Sequence, residues 1–305
     1  MRTCVIINPV AGSASDIGLL ASTLADLPGV RVMLTTRGGE AEALAREAAE
    51  RGFDRIVAGG GDGTVNDVLN GIAGHLDRVE LGILPVGTGN DFAASIGMRV
   101  PAQEAIPMLL SWDARPIDVV RVRGTGPRGP CERLMLNGSA GGFVEVVGSA
   151  TGQQSKRGIL GPLSYVLSAA LSADQMETYS IRIRAGDKST TIRGIATIVS
   201  NGRTVGGGMP VSPRAWIDDG SLELLAIPEM PLGDLVLLGV SIANGNHLTD
   251  PRLHFGEGSI ITLDSEPPMP VNADGESLGT TPVVYEVLPR VLRVVTGPEP
   301  PAVRP

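Results

Sequence analysis

Arg55-Ile56-Val57-Ala58-Gly59-Gly60-Gly61-Asp62-Gly63-Thr64-Val65-Asn66-Asp67-Val68-Leu69 is the stretch whose reading decides the fold. The β-branched run at Arg55 to Val57 predicts a strand, and Val65 to Ala73, apolar at three-to-four spacing, predicts a helix. Glycines where a strand gives way to a helix let backbone N–H groups approach an anion, and the helix dipole adds favourable potential there. By position this turn is a phosphate cradle. It is not a Walker loop, lacking Gly-Lys-Ser/Thr, nor a good dinucleotide fingerprint, lacking the third glycine at the expected spacing. Asp62 in its middle would repel phosphate unless a divalent cation lay between them, which hints at Mg²⁺ and phosphoryl transfer. The plainer alternative is a tight turn with Asp62 as a helix cap.

Outward from this turn, Thr3 to Ile7, Val30 to Thr35 and Leu81 to Leu84 also read as strands, and Ile17 to Leu27, Ala41 to Glu50 and Asp91 to Ile96 as helices. Strand and helix alternate, the order of a parallel sheet covered by helices. A second glycine turn, Leu84-Pro85-Val86-Gly87-Thr88-Gly89-Asn90-Asp91-Phe92, comes one strand later, with Asn90 or Asp91 expected to cap the next helix. Two such turns on successive strands line one crevice at the carboxyl ends of a sheet, where open α/β sheets bind ligands.

After Val120 the character changes. Arg123 to Pro130 reads as a Gly/Pro/Arg loop and a domain boundary, and the chain beyond it is mostly strands and turns. Tyr179 to Arg184 and Thr190 to Val199 flank a hairpin signal at Ala185 to Lys188, and Leu222 to Ile227, Ser259 to Leu263 and Val283 to Val287 continue the pattern. Helices are expected near Leu160 to Leu171 and Leu232 to Ala243. The fold class is therefore α/β plus mainly β, with an N-terminal parallel-sheet domain and a mainly antiparallel second domain.

Composition narrows the function. With 305 residues, 42% hydrophobic and 19% charged, the chain is globular and long enough for two domains. Glycine is in excess, 41 residues or about 13% against a usual figure of about 7%. Nine aromatic residues and a net charge of −8 argue against a nucleic-acid surface. Cys4 and Cys131 offer neither a disulfide framework nor a metal spacing, and a cytoplasmic location is the expectation. No export signal or transmembrane span is read.

At the glycine turns the chain resembles the diacylglycerol kinase catalytic-domain family, the bacterial lipid kinases related to sphingosine and ceramide kinases. The likeness runs nearly end to end: Asn8-Pro9 with Gly12, Thr35, Gly60 to Asn66 and Leu84 to Phe92, then Asn137-Gly138, Gly141-Gly142-Phe143, Lys156 with Gly161 and Tyr165, Asn201, Gly207-Gly208-Met209, Pro213 with Ala215, Asp218-Asp219-Gly220 and Asp274-Gly275-Glu276. The Gly-Gly-Asp-Gly-Thr turn alone is shared with NAD kinases and resembles phosphofructokinase loops. The resemblance implies an NAD kinase- or phosphofructokinase-like ATP-binding domain over 1–123, rejoined by 290–305, and a larger β-sandwich-like lipid-substrate domain over 124–289. It implies that Asn8, Thr35, Gly60, Gly61, Asp62, Gly63, Thr64, Val65, Asn66 and Thr88, with Asn90 and Asp91 of the second turn, hold ATP. It further implies that Asp62, Asp91 and Asp118 organise water and Mg²⁺, that Asp219 with main-chain oxygens of Trp216 and Ser221 forms a structural Mg²⁺ site, and that Glu276 is the catalytic base. From local sequence alone, Asp274-Gly275-Glu276 reads more readily as a β-turn with an exposed glutamate, and only the whole constellation favours the base.

Two features depart from the family pattern. The loop after the first strand carries no basic residue, and none occurs between Arg2 and Arg31; Asp67 stands where relatives often have Glu. The expected reaction is phosphorylation of diacylglycerol or a similar lipid alcohol at a membrane surface. A soluble-substrate kinase of the NAD-kinase type and a non-catalytic nucleotide-binding regulator are the other readings. Arg121, Arg123, Arg128 and Arg133, opposed by Glu132, form the densest basic segment and are candidates for anionic headgroups. A homodimer through an exposed strand edge stays open.

Overall fold

The computed structural model describes residues 1–11, 14–87, 89–143, 176–298 and 300–304. Gly12, Thr88, Lys156, Gly161, Tyr165 and the helix read at Leu160 to Leu171 lie outside the described residues. In chain order the strands and helices are β1 (Thr3–Ile7), α1 (Ala14–Ala25), β2 (Val30–Leu34), α2 (Glu40–Glu50), β3 (Arg55–Gly60), α3 (Asp62–Gly71), β4 (Glu80–Pro85), α4 (Asp91–Ser95), α5 (Ala102–Ser111), β5 (Ala114–Gly126), β6 (Gly129–Met135), β7 (Gly138–Gly142), β8 (Tyr179–Ala185), β9 (Lys188–Ser200), β10 (Leu222–Pro228), α6 (Leu232–Ala243), β11 (His254–Gly258), β12 (Ile260–Glu266), β13 (Pro270–Ala273) and β14 (Glu276–Val295). The chain packs as two compact units, Met1–Val119 with Pro289–Pro305, and Val120–Leu288, passing from the first to the second within β5 and back within β14.

In the first unit β2, β1, β3, β4 and the end of β14 pair in that order, all parallel. β1 and β3 are buried along their whole length, which is why, after Thr3 and Arg55, they are continuous apolar runs rather than alternating ones. Helix α2 buries Ala41, Ala45, Ala48 and Ala49, a face of small residues that admits α3 closely. At Gly71 a Cβ would lie 2.3 Å from the Glu42 carbonyl oxygen, so this approach requires glycine. Arg55, 2% exposed, ties β3 to β4 and to the end of α5 through Glu80 (2.5 Å) and the carbonyls of Leu109 and Trp112.

The second unit is antiparallel, with β11, β10, β9, β7, β13 and β14 in order and β8 and β12 linking β9 to β14. β9 feeds both faces: Ile192 and Val199 join the core beneath β8, β12 and β14, while Ile195, Ala196 and Ile198 join a second core under Leu238 and Ile242 of α6. Two readings need correction. Arg123 to Pro130 is a hairpin, not a loop: β5 runs to Gly126 and β6 starts at Gly129 around Pro127-Arg128. Among the described residues β6 pairs only with β5, and an outer strand tolerates Pro130. The run at Val283 to Val287 is no separate short strand but the middle of one strand of 20 residues, β14.

Candidate functional site

β3 ends in Gly59-Gly60 and α3 begins at Asp62 with Gly61 as its N-cap, so the helix starts three residues earlier than the apolar spacing suggested. No side chain caps it. The glycines are forced by crowding: a Cβ on Gly60 would lie 2.2 Å from Thr64 Oγ1, and one on Gly59 would lie 2.9 Å from Ile7 Cγ1. Asn8, just past β1, donates from Nδ2 to Thr64 Oγ1 (3.4 Å), while its own N–H goes to the Gly59 carbonyl at 2.8 Å. Residues 8, 60, 61 and 64 thus gather at the carboxyl ends of β1 and β3.

The second turn is pressed against the first. Gly87 donates its N–H to the Gly60 carbonyl at 3.2 Å, and a Cβ on Gly87 would fall 2.3 Å from Gly61 Cα. Asn90 does not cap α4 with its side chain: it stands at a φ of 53° and donates from Nδ2 to the Gly87 carbonyl (2.7 Å), bracing the turn. The cap comes from the other turn. Asp62 Oδ2 accepts the Asp91 N–H at 3.2 Å and Oδ1 accepts the Phe92 N–H at 3.1 Å. Asp62 is therefore a cap, but of the helix that opens 29 residues later rather than of its own.

The other expected ligands divide. Thr35 is buried and extends the β1–β2 ladder by donating its N–H to Ile7 O (2.9 Å). Gly63 is exposed in the first turn of α3, whereas Val65 and Asn66 are buried, Asn66 Oδ1 taking a bond from Asn70 (3.1 Å). Asp118, fully buried on β5, accepts the Arg290 N–H at 2.8 Å. Among the described residues no three Asp, Glu, His or Cys side chains stand together as a group able to hold an ion. The Asp62 carboxylate meets the Asp91 main chain, and Asp118 is engaged with the returning strand.

In the second unit Asp219 Oδ1 accepts the Ser221 N–H at 2.9 Å across Gly220, whose φ is 76°. Trp216 is held just upstream, its ring under the Arg203 guanidinium (4.5 Å) while Arg203 Nε donates to Ala215 O. The surroundings are acidic. Burial pushes the Glu223 carboxyl up, and repulsion from Asp219 and Glu257 adds to this, against a Ser212 hydrogen bond and the Arg214 charge. Glu276 opens β14 after Asp274-Gly275; it is exposed, and its side chain makes no hydrogen bond or ion pair among the described residues. The basic segment on β5 and β6 is partly neutralised: Arg123 pairs with Glu286 at 2.8 Å, and Arg121 lies between Glu286 (3.5 Å) and Glu132 (3.7 Å).

The chain matches known proteins over the same residues. The family profile described as the diacylglycerol kinase catalytic domain matches residues 2–122, and that described as the YegS C-terminal NAD kinase beta sandwich-like domain matches 142–296. The "Probable lipid kinase YegS-like" protein of Pseudomonas aeruginosa (strain UCBPP-PA14) is 33% identical over 265 residues, covering 86% of this chain and 83% of its own length. A protein named diacylglycerol kinase from Bacillus subtilis (strain 168) is 29% identical over 303 residues, covering 98% and 97%. A crystal structure of a diacylglycerol kinase from Bacillus anthracis str. Sterne shares the fold, with a TM-score of 0.74 over 97% of each chain at 22% identity. Glycine turns, an aspartate bridging them and a match over most of both chains at 33% identity lead to one conclusion: the chain belongs to the diacylglycerol kinase catalytic-domain family.

Proposed function

We propose that the protein is an ATP-dependent lipid kinase that phosphorylates the hydroxyl of diacylglycerol or a similar lipid alcohol. The observation that carries the reading is the backbone contact of Gly61 with Gly87 at the head of α3. It leaves glycine main chain, without Cβ atoms, around the N-terminus of a helix of 10 residues, and such ends favour phosphate. In this reading the first unit holds ATP through Asn8, Thr35, the Gly60 to Asn66 turn, Thr88, Asn90 and Asp91. The lipid oxygen attacks the γ-phosphorus, forming a new P–O bond while the bond to the β-phosphate oxygen breaks and ADP leaves. Glu276 takes the hydroxyl proton; its exposed, unpartnered carboxylate suits that task.

The donor set fits Mg²⁺, which prefers hard oxygen ligands. A carboxylate has about four lone-pair sites, and the two N–H groups on Asp62 leave others for a metal or its water. Asp62 and Asp91 would hold Mg²⁺ at the phosphates, and Asp219 with the main-chain oxygens of Trp216 and Ser221 a second ion. When bound, Mg²⁺ neutralises charge on the phosphates. The lipid is met at a bilayer surface in this reading; among the described residues no helix is long and apolar enough to cross a membrane.

The test supplies labelled ATP and Mg²⁺ with lipid mixed micelles in one arm and NAD in the other. Phosphate should enter the lipid fraction; label in NAD, or in neither, would overturn the reading. Glu276→Gln should lower turnover by about 10²- to 10⁴-fold with nucleotide affinity unchanged.

A further inference from the structure

Three motifs are left without a task by this chemistry: Asn137-Gly138, Asn201 and Asp274. They meet at one point of the second unit. Asp274 Oδ2 accepts the Leu136 N–H at 2.8 Å, and its Oδ1 accepts those of Asn137 (3.0 Å) and Gly138 (2.9 Å). The Asp274 N–H returns to the Gly138 carbonyl at 2.9 Å. From the other side Asn201, fully buried, gives its N–H to Asn137 O and its Nδ2 to Leu136 O, both at 2.8 Å. Asn137 Nδ2 in turn reaches Thr204 O at 2.6 Å.

This arrangement does more than make a turn. Asp274 and Gly275 stand at φ 48° and 86° and join Ala273 to Glu276 across a two-residue hairpin loop. Asn or Gly at 274 would satisfy such a loop as well. Only a carboxylate can accept three main-chain N–H groups on two oxygens, and such charge-assisted bonds are the stronger kind. Glu276 has no side-chain partner among the described residues, so its placement depends on the main chain that carries it.

We infer that Asp274 is a positioning residue for Glu276, anchoring the hairpin to the 136–138 segment that Asn201 fixes from behind. The inference rests on the reading of Glu276 as proton acceptor in the lipid kinase reaction.

The test uses the full chain with Asp274→Asn and Asn201→Ala, each alone and combined with Glu276→Gln. Displacement of a reacting group by about 1 Å costs about 100-fold, so Asp274→Asn should lower kcat by about that factor. Its KM for ATP should stay within about twofold, and Asn201→Ala should lower kcat about tenfold. Residues acting through one group are non-additive, so in the Glu276→Gln background either change should cost less than about twofold more. Wild-type kcat in Asp274→Asn, or equal losses in both backgrounds, would overturn the inference. Hydrogen–deuterium exchange gives a readout independent of activity: Asp274→Asn should speed exchange at Leu136, Asn137, Gly138 and Glu276, and unchanged protection also overturns it. An unsubstituted protein that phosphorylates no lipid while these amides respond would instead sink the kinase reading and leave the anchor standing.

Discussion

Asp62 and Phe92, 30 residues apart, are joined by a hydrogen bond of 3.1 Å from the Phe92 N–H to the Asp62 carboxylate. With the neighbouring bond to Asp91, it makes one side chain the clasp between the head of α3 and the head of α4.

Asp62→Asn replaces an acceptor for two N–H groups by an amide that can accept at one end only. Losing a capping bond of this type costs about 1–2 kcal/mol. Thermal unfolding should register that loss, and addition of MgATP, which should raise the midpoint of the unsubstituted protein, should no longer do so.

Gly87→Ala puts a methyl 2.3 Å from Gly61 Cα, where only main chain could give way. Nucleotide affinity should fall at least about tenfold, a cost of about 1.4 kcal/mol in binding, with circular dichroism unchanged. Gly18→Ala is the contrasting case: Gly18 lies inside α1 with nothing within 4 Å of its would-be Cβ, so stability should rise by about 0.5–1 kcal/mol.

The turns after β1, β2, β3 and β4 contain one basic residue, Arg37, which is exposed and makes no ion pair among the described residues. Arg37→Gln should raise the KM for MgATP about tenfold, the loss of one charge-assisted contact, with little change in kcat. Arg31→Gln, inside β2, should leave KM unmoved. Equal KM values for the two variants would leave the metal alone to balance the phosphate charge.

His247 is fully buried, with Nε2 2.8 Å from Val211 O; that nitrogen therefore donates, and Nδ1 has no partner among the described residues. Burial pushes its pKa below 6.5, against the Val211 bond. The unfolded chain binds a proton near pH 6.5 that the folded chain refuses, so stability is complete above that pH and declines as pH falls toward the folded value. One proton can add at most about 1.4 kcal/mol per pH unit to that slope. Unfolding free energies between about pH 7.5 and 5.5 should fall more steeply for the native chain than for His247→Gln.

The framework of the first unit was legible because inner parallel strands such as β1 and β3 are, after their first residue, continuous apolar runs punctuated by glycine. The hairpin at Gly186-Asp187 was legible for a similar local reason. Contacts across distance were not. Asp62 belongs to α4, and nothing near it in sequence says so. Asn90 looks like a cap because Asn commonly is one, but its left-handed backbone turns the side chain back on Gly87. The β5–β6 hairpin was hidden because Gly and Pro mark loops in general, while an outer strand can carry them. The triple grip of Asp274 lies 136 to 138 residues from its partners, beyond any local pattern.

The end of β14 lies beside β4, with Arg293 opposite Glu80 and Val294 opposite Leu81. On the ribosome, where N-terminal segments emerge first, β4 is made more than 200 residues before its neighbour. Until residue 293 has been made, that strand presents an open edge, the kind other chains pair with. A message cut short of residue 293 would release a protein with every glycine turn intact and a raw seam in its sheet.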